Sequence, residues 1–423
     1  MKTVVNVQEY GIVGDGITNN TRRINELIRQ MQGGGLLFFP PGTYVTGSVV
    51  LKSNITLHLC TGAVLLGSEN KEEFPRVTEE VVPGYTCGRR QALITAFREE
   101  NIVIEGGGII DGRGRFWWET DAEDPGRPRT IQPILCSNVT IKDISIRNSP
   151  MWTVNPVCCS NVTIQNIKIK NPSDSPNTDG INPESCRNVH ITDCTVDVGD
   201  DCITIKSGLE QDTLQKQYPC EDIVIANCTL LSGHGGVVIG SEMSGGVKRV
   251  VVSNCIFKGT DRGIRIKTRR GRGGVVSDVM VNNLLMEEVL IPFTVNGFYF
   301  YDRDQEGWEA PVTGDTPVIE NISISNLRAY KCRVAAIYIK GLPEMPVRGI
   351  TMSNVIISSE IDPAVKDVPI MMPGIEKMQG RGVFLDNIVD SVFENMHISA
   401  ESGEVLNIAC VRNVIYNGMR QNV

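Results

Sequence analysis

From the middle of the chain onward one pattern recurs: apolar, any residue, apolar, any residue, Asn or Asp, apolar. It reads as TIKDI, TIQNI, HITDC, VIANC, VVSNC, MVNNL, SISNL, TMSNV and VFENM. The polar member falls at Asp143, Asn166, Asp193, Asn227, Asn254, Asn283, Asn326, Asn354 and Asn395, with gaps of 23, 27, 34, 27, 29, 43, 28 and 41 residues. SNITLHL at 53 and ENIVIEG at 100 share the flavour. Alternation over short runs of Val, Ile and Thr, broken at Gly, Asn, Asp or Ser, is strand periodicity with turn punctuation. Amphipathic helix is nearly absent after residue 35, which argues against βαβ and TIM-barrel architectures. Hairpin signals of the Asn-Gly kind are scarce, which argues against a sandwich or propeller. Several short strands in 23 to 34 residues fit one coil of a parallel β-helix, each coil stacked on the last at roughly 4.8 Å. The fixed Asn or Asp then belongs at a turn, where left-handed backbone and a side-chain ladder suit it.

The expectation is an all-β single solenoid over 1–423, with the two long gaps as coils carrying insertions. Residues 1–45 differ. TNNTRRINELIRQM predicts a helix over about 18–32, with Thr18 and Asn20 as candidate caps and Ile24, Leu27, Ile28 and Met31 on one face. The glycines at 33–35 end it, and the helix is expected to plug the open end of the solenoid. Stretches near 68–92, 112–132, 207–220, 297–316 and 359–380 read as loop excursions from the coils.

Charge and cysteine content narrow the possibilities. With 41 basic against 49 acidic residues the net charge is −8, which excludes a general nucleic-acid footprint. No apolar stretch approaches the ~18 residues of a membrane span. The start, MKTVVNVQEYG, shows no basic-then-apolar leader, so a cytoplasmic location is expected, or a secreted one if a leader has been removed. Thirteen cysteines form no CxxC pair and no metal spacing; buried thiols in a reducing compartment are the expectation, with a disulfide framework as the alternative.

Register brings the polar residues together. Four stretches align on their strands: DGIN from 179, DDCITIK from 200, HGGVVIG from 234 and RGIRIK from 262. Ile181, Ile203, Val237 and Ile264 share one inward phase. Asp179 and Asp201 then lie two residues before it, Asp200 and His234 three before, Arg265 one after and Lys267 three after, the last two pointing outward. Singly, an Asp-Asp turn, a histidine between glycines and an outward RIK are ordinary solvated features. In register they converge on glycoside hydrolysis, in which one carboxyl protonates the leaving oxygen and another activates water. The cations would suit a substrate that is itself a carboxylate. The segment 261–274 carries six basic residues against one acid, a local reversal that argues for an anionic partner, with a surface salt-bridge patch as the alternative.

NTDG at 177–180, GDD at 199–201, GHG at 233–235 and RIK at 265–267 together resemble the family 28 glycoside hydrolases, the polygalacturonases. VQEYGIVGDG near the start, FPPGTY at 39–44, GGGIIDGRGRFWW at 106–118 and NSPMWTV at 148–154 extend the resemblance over most of the chain. It implies a right-handed, single-stranded parallel β-helix that hydrolyses α-1,4-galacturonide linkages with inversion, without metal or cofactor. By position Asp200 would be the general acid, Asp179 and Asp201 would hold and activate water, and His234 would influence the protonation of the acid. Arg265 and Lys267 would bind a galacturonate carboxylate, and Asn177 would contact substrate or orient Asp179. Tyr299, Tyr301 and Tyr338 are candidates for a substrate-contacting tyrosine, while Trp117 and Trp118 are read as core rather than sugar platforms. The expected partner is a galacturonate-containing acidic oligosaccharide, attacked from a chain end. Rhamnogalacturonan-type or unsaturated-oligomer exo-hydrolysis is the alternative within the family. A Ca²⁺-dependent pectate lyase and a non-catalytic pectin-binding solenoid are the alternatives outside that activity.

Overall fold

The computed structural model describes residues 4–85, 89–120, 126–300 and 311–423. The chain divides into two compact units, one of Met1–Asp200 with Asp212–Gln215, the other of Asp201–Gln211 with Lys216–Val423. Each is a run of parallel β-helix coils, built on the alternation legible in the sequence.

In the first unit Val5, Leu37, Leu57, Ile104, Ile141, Ile164 and Ile191 stack residue on residue through successive parallel strands. All seven are buried, so the inward row of each coil lands on that of the next. A further face is formed by Val49–Val50, Ile94–Phe97 and Ile131–Ile134, extended by parallel bridges from Ile131 to Val154 and from Val154 to Ile181. The N-terminal helix spans Thr21–Gln30, shorter than expected at both ends. Thr18 lies in the strand Asp15–Asn19, where its hydroxyl donates to Asp15 Oδ2 at 2.7 Å. Asn20 stands at the N-cap but does not cap: its Oδ1 accepts from Val13 N at 2.9 Å, stapling the preceding loop. Ile24, Leu27 and Ile28 are buried as the helical spacing requires. A second, unexpected helix, Gly114–Thr120, lies in the 112–132 excursion. Its Trp117 is 1% exposed and packs edge-on against Phe74 and Phe116, the core role read from sequence. The 68–92 excursion holds a 3-10 turn at Lys71–Glu73, and its Val77, Val82 and Tyr85 pack on Ile134, Val157 and Leu214.

In the second unit the inward row Ile203, Val237, Ile264, Phe293, Ile337, Val383 and Leu406 runs through consecutive coils, as the sequence alignment of Ile203, Val237 and Ile264 requires. Long strands, Val247–Lys258, Val275–Glu287, Val318–Cys332 and Val347–Ser359, carry the recurrent asparagine at a bend rather than a break. Asn254, Asn283, Asn326, Asn354 and Asn395 all have φ between 52° and 56°. Each amide donates to its predecessor's Oδ1, at 3.1, 3.2, 3.2 and 2.7 Å along the row. The first unit builds an equivalent ladder on Asn54, Asn101, Asn138, Asn161 and Asn188. Asparagine is selected because its short amide tolerates left-handed backbone and supplies both halves of a self-repeating bond. The strand Met419–Gln421 turns back antiparallel along Val414–Tyr416.

Nine of the twelve described cysteines are buried, and all twelve are free thiols, which favours the packing reading over a disulfide framework among the described residues. Cys136 N donates to Cys159 Sγ and Cys159 N to Cys186 Sγ, each at 3.4 Å, so even the thiols follow the coil repeat.

Candidate active site

In the first unit Asp179 sits where the strand bridge at Ile181 ends, 3% exposed, with Asn182 Nδ2 donating to its Oδ2 at 3.0 Å. Asn182, three residues on, therefore orients Asp179, a role the sequence offered to Asn177 as the alternative to contacting substrate. Asn177 has φ 56°, and its Oδ1 accepts from Arg127 Nη2 at 2.7 Å. Arg127 also reaches the carbonyls of Pro150 at 3.1 Å and Pro176 at 2.6 Å, tying three loops together. An oxygen of Asp179 lies within 4.8 Å of an oxygen of Asp200.

In the second unit the strand Arg262–Lys267 carries the predicted cations. Its alternation is as expected, but the outward residues are not exposed: Arg265 is 9% and Lys267 7% exposed. Two things cover them. Lys267 Nζ meets Asp201 Oδ2 at 2.8 Å and Arg265 Nη1 meets Asp201 Oδ1 at 3.5 Å. Tyr299 lies over both, its ring centre 5.3 Å from Lys267 Nζ and 5.9 Å from the Arg265 guanidinium carbon. Asp201 is 1% exposed. Burial pushes its carboxyl up, but Lys267 and Arg265 outweigh that and hold it below the usual carboxylate range.

The basic run 261–274 is paired within the unit. Arg262 pairs with Asp367, Arg265 and Lys267 with Asp201, Arg269 and Arg272 with Glu210, and Arg270 with Glu344. All six cations have carboxylate partners within the unit, brought from residues distant in sequence. The local excess does not by itself indicate an anionic partner. Arg265 still carries more N–H groups than Asp201 engages, so the fork retains capacity for a second carboxylate.

Besides Asn182, two further residues escaped the sequence reading. Lys206 Nζ meets Glu242 Oε2 at 2.8 Å, with Lys206 almost fully buried. Burial raises the Glu242 carboxyl, but Lys206 more than offsets this and holds it at about 2. Lys206 follows Ile203 by three residues as Lys267 follows Ile264, so the same register argument could have found it. His234, 58% exposed on its side chain, is placed by Asp261.

Of the tyrosine candidates, Tyr299 reaches the cations. Tyr338 is 9% exposed and stacks on Phe384 at 5.3 Å, a packing role. Tyr301 lies outside the described residues. The 359–380 excursion folds back over this face. Met371 O accepts from Asn296 Nδ2 and Phe300 N, both at 3.0 Å, and Arg265 Nη2 lies 3.3 Å from Met371 Sδ. Arg262 Nη2 and Nε donate to the carbonyls of Val368 at 2.5 Å and Pro369 at 3.2 Å, anchoring the same segment.

Comparison with known proteins bears on this constellation. Residues 80–372 match the model for glycosyl hydrolases family 28, and residues 4–68 match rhamnogalacturonase A/epimerase, pectate lyase-like. A probable polygalacturonase of Vitis vinifera is 35% identical over 365 residues, covering 82% of this chain and 73% of that protein. The chain spans 57%, 61% and 55% of three further relatives. An exopolygalacturonase from Thermotoga maritima superposes with TM-score 0.72 at 27% identity, covering 99% of this chain and 93% of that one. The family 28 exopolygalacturonase of Yersinia enterocolitica gives TM-score 0.84 at 21% identity, over 100% and 80% of the two chains, a likeness of fold. With its carboxylates, its RIK strand and a match across 80–372, the chain belongs to the glycosyl hydrolases of family 28.

Proposed function

We propose that this protein hydrolyses α-1,4-galacturonide linkages in acidic, pectin-derived oligosaccharides, removing galacturonate from a chain end. The observation that carries the reading is the contrast between two consecutive carboxylates. Asp201 is clamped by Lys267 and Arg265, so it stays ionised. Asp200 has the Asp179 carboxylate within 4.8 Å, a like charge that favours keeping one proton on the pair. Separation of two acidic groups by their surroundings is what divides acid from base in glycosidases. In this reading Asp200 protonates the leaving oxygen, Asp201 and Asp179 orient and deprotonate water, and the spare Arg265 donors and Lys267 hold the sugar carboxylate beneath Tyr299.

Exo-action is supported by the segment through Met371, which packs over the strand bearing Arg265 and walls that face. The exopolygalacturonase likeness points the same way. The alternatives differ in product. A lyase would yield an unsaturated sugar and stop with EDTA, and an endo-hydrolase would release mixed oligomers.

The test is trigalacturonate digestion, with and without EDTA, against Asp200→Asn. Stepwise monogalacturonate, indifferent to EDTA and lost by at least ~10³-fold in the variant, is the expected result. Full activity in the variant, or an unsaturated product, overturns it. Stereochemistry is a sharper question. Family resemblance implies inversion, and the alternative outcome is retention. Proton NMR of the newly released anomer decides between them.

A further inference from the structure

His234 is the exposed member of the constellation, and an exposed imidazole is held only by what binds its ring. Asp261, one coil on, does this: its Oδ2 lies 2.8 Å from His234 Nδ1. Asp261 is itself fixed, its backbone N donating to Gly233 O at 2.9 Å, the residue before the histidine. Arg262, next in the chain, is buried and bound to the 367–369 segment, so the backbone under Asp261 is anchored from the other side. The coil that carries His234 runs against Asp201. Gly235 O accepts from Cys202 N at 2.7 Å, and a Cβ at Gly235 would stand 2.9 Å from Asp201 Oδ1. The dyad is thus one residue from the ionised carboxylate of the site.

We propose that Asp261 is a positioning residue for the hydrolysis, accepting the Nδ1 proton of His234, fixing the orientation of the ring and supporting its charged form. The inference rests on the hydrolase reading above. A carboxylate bound to Nδ1 fixes ring orientation and supports the imidazolium once the ring is charged. The charged groups around the dyad are Asp261 itself, Asp201 beyond Gly235, and Arg262 and Arg265, whose charges act on Asp261. Burial raises the Asp261 carboxyl, but the bond from His234 and those two arginines outweigh it and keep it below the ordinary carboxylate range.

The experiment compares wild type, Asp261→Asn and Asp261→Glu by full pH profiles of kcat and KM on trigalacturonate, with ¹⁵N NMR of the His234 ring. Asp261→Asn is expected to lower kcat about 10- to 100-fold, as loss of an orienting partner does, with KM within about threefold. Removing the anion destabilises the imidazolium, so the alkaline limb moves to lower pH, by about one unit. Asp261→Glu is expected to return the limb to its wild-type place. A wild-type kcat and an unmoved limb in Asp261→Asn overturn the proposal. If wild type does not hydrolyse the substrate, the hydrolase reading fails, and the dyad is judged by NMR alone. An Nδ1–H tautomer in wild type that is lost in Asp261→Asn sustains it, and identical spectra reject it.

Discussion

Two faces of the second unit solve the same problem in opposite ways. At the asparagine corner every coil contributes the same residue, and each amide is satisfied by an identical neighbour, from Asn254 through Asn283, Asn326 and Asn354 to Asn395. On the face of Arg262–Lys267 successive coils contribute unlike residues, and no group is satisfied by its own kind. Asp201 needs Lys267, Lys206 needs Glu242, His234 needs Asp261, and Arg262 needs a segment more than 100 residues away. Repetition gives structure without chemistry. Its interruption creates charges that must be paired, and pairs that substrate can enter.

The largest way to break this contrast is Lys267→Met. It leaves a buried carboxylate with a weakened partner set, costing about 3–5 kcal/mol in urea unfolding. Hydrolysis should fall beyond measurement, since the substrate's anchor goes as well. Next is Arg265→Lys, which keeps the charge but loses the fork; KM should rise about tenfold or more while the fold survives. The Glu242 carboxyl sharpens the comparison through pH. Its folded value, about 2, is below the ordinary 4.5, so its pairing with Lys206 stabilises fully above about 4.5 and is lost as pH falls toward 2. Wild type should lose urea stability across that window, and Glu242→Gln should show a flatter profile there. The smallest effect belongs to the corner. Asn326→Ala places a Cβ residue without an amide at φ 54° and removes two ladder bonds, for about 1–2 kcal/mol, with kcat unchanged. Asn326→Gly should cost less, because glycine keeps the backbone and loses only the ladder.

The same division explains what was legible in the sequence. Ile203, Val237 and Ile264 could be aligned by eye because the inward row repeats, and the nine corner residues from Asp143 to Asn395 all adopt positive φ as their phase requires. The motif carboxylates and cations were found because they interrupt that repeat. Their partners were not. Asp367 and Glu210 lie in excursions and Glu344 in the connection after the strand Ala335–Lys340, with no repeat to place them, so six paired arginines and lysines looked like an unpaired basic run. The helix was overextended at its start because Thr18 looks like a cap in sequence, while in space it lies in the strand Asp15–Asn19 and its hydroxyl is bound to Asp15. Asn182 went unnoticed because Asn177 held the more familiar motif position, although three residues after Asp179 is within easy reach of its carboxylate.

A parallel coil is also a template: its outer edge presents unpaired N–H and C=O groups in the direction in which another coil would grow. The reversal of Met419–Gln421 onto Val414–Tyr416 occupies that edge with a strand running the wrong way. Side-chain amides lock the bend, Asn417 accepting from Met396 N at 2.9 Å and donating to its carbonyl at 3.0 Å. Three residues thereby close the edge of this strand to a further parallel coil.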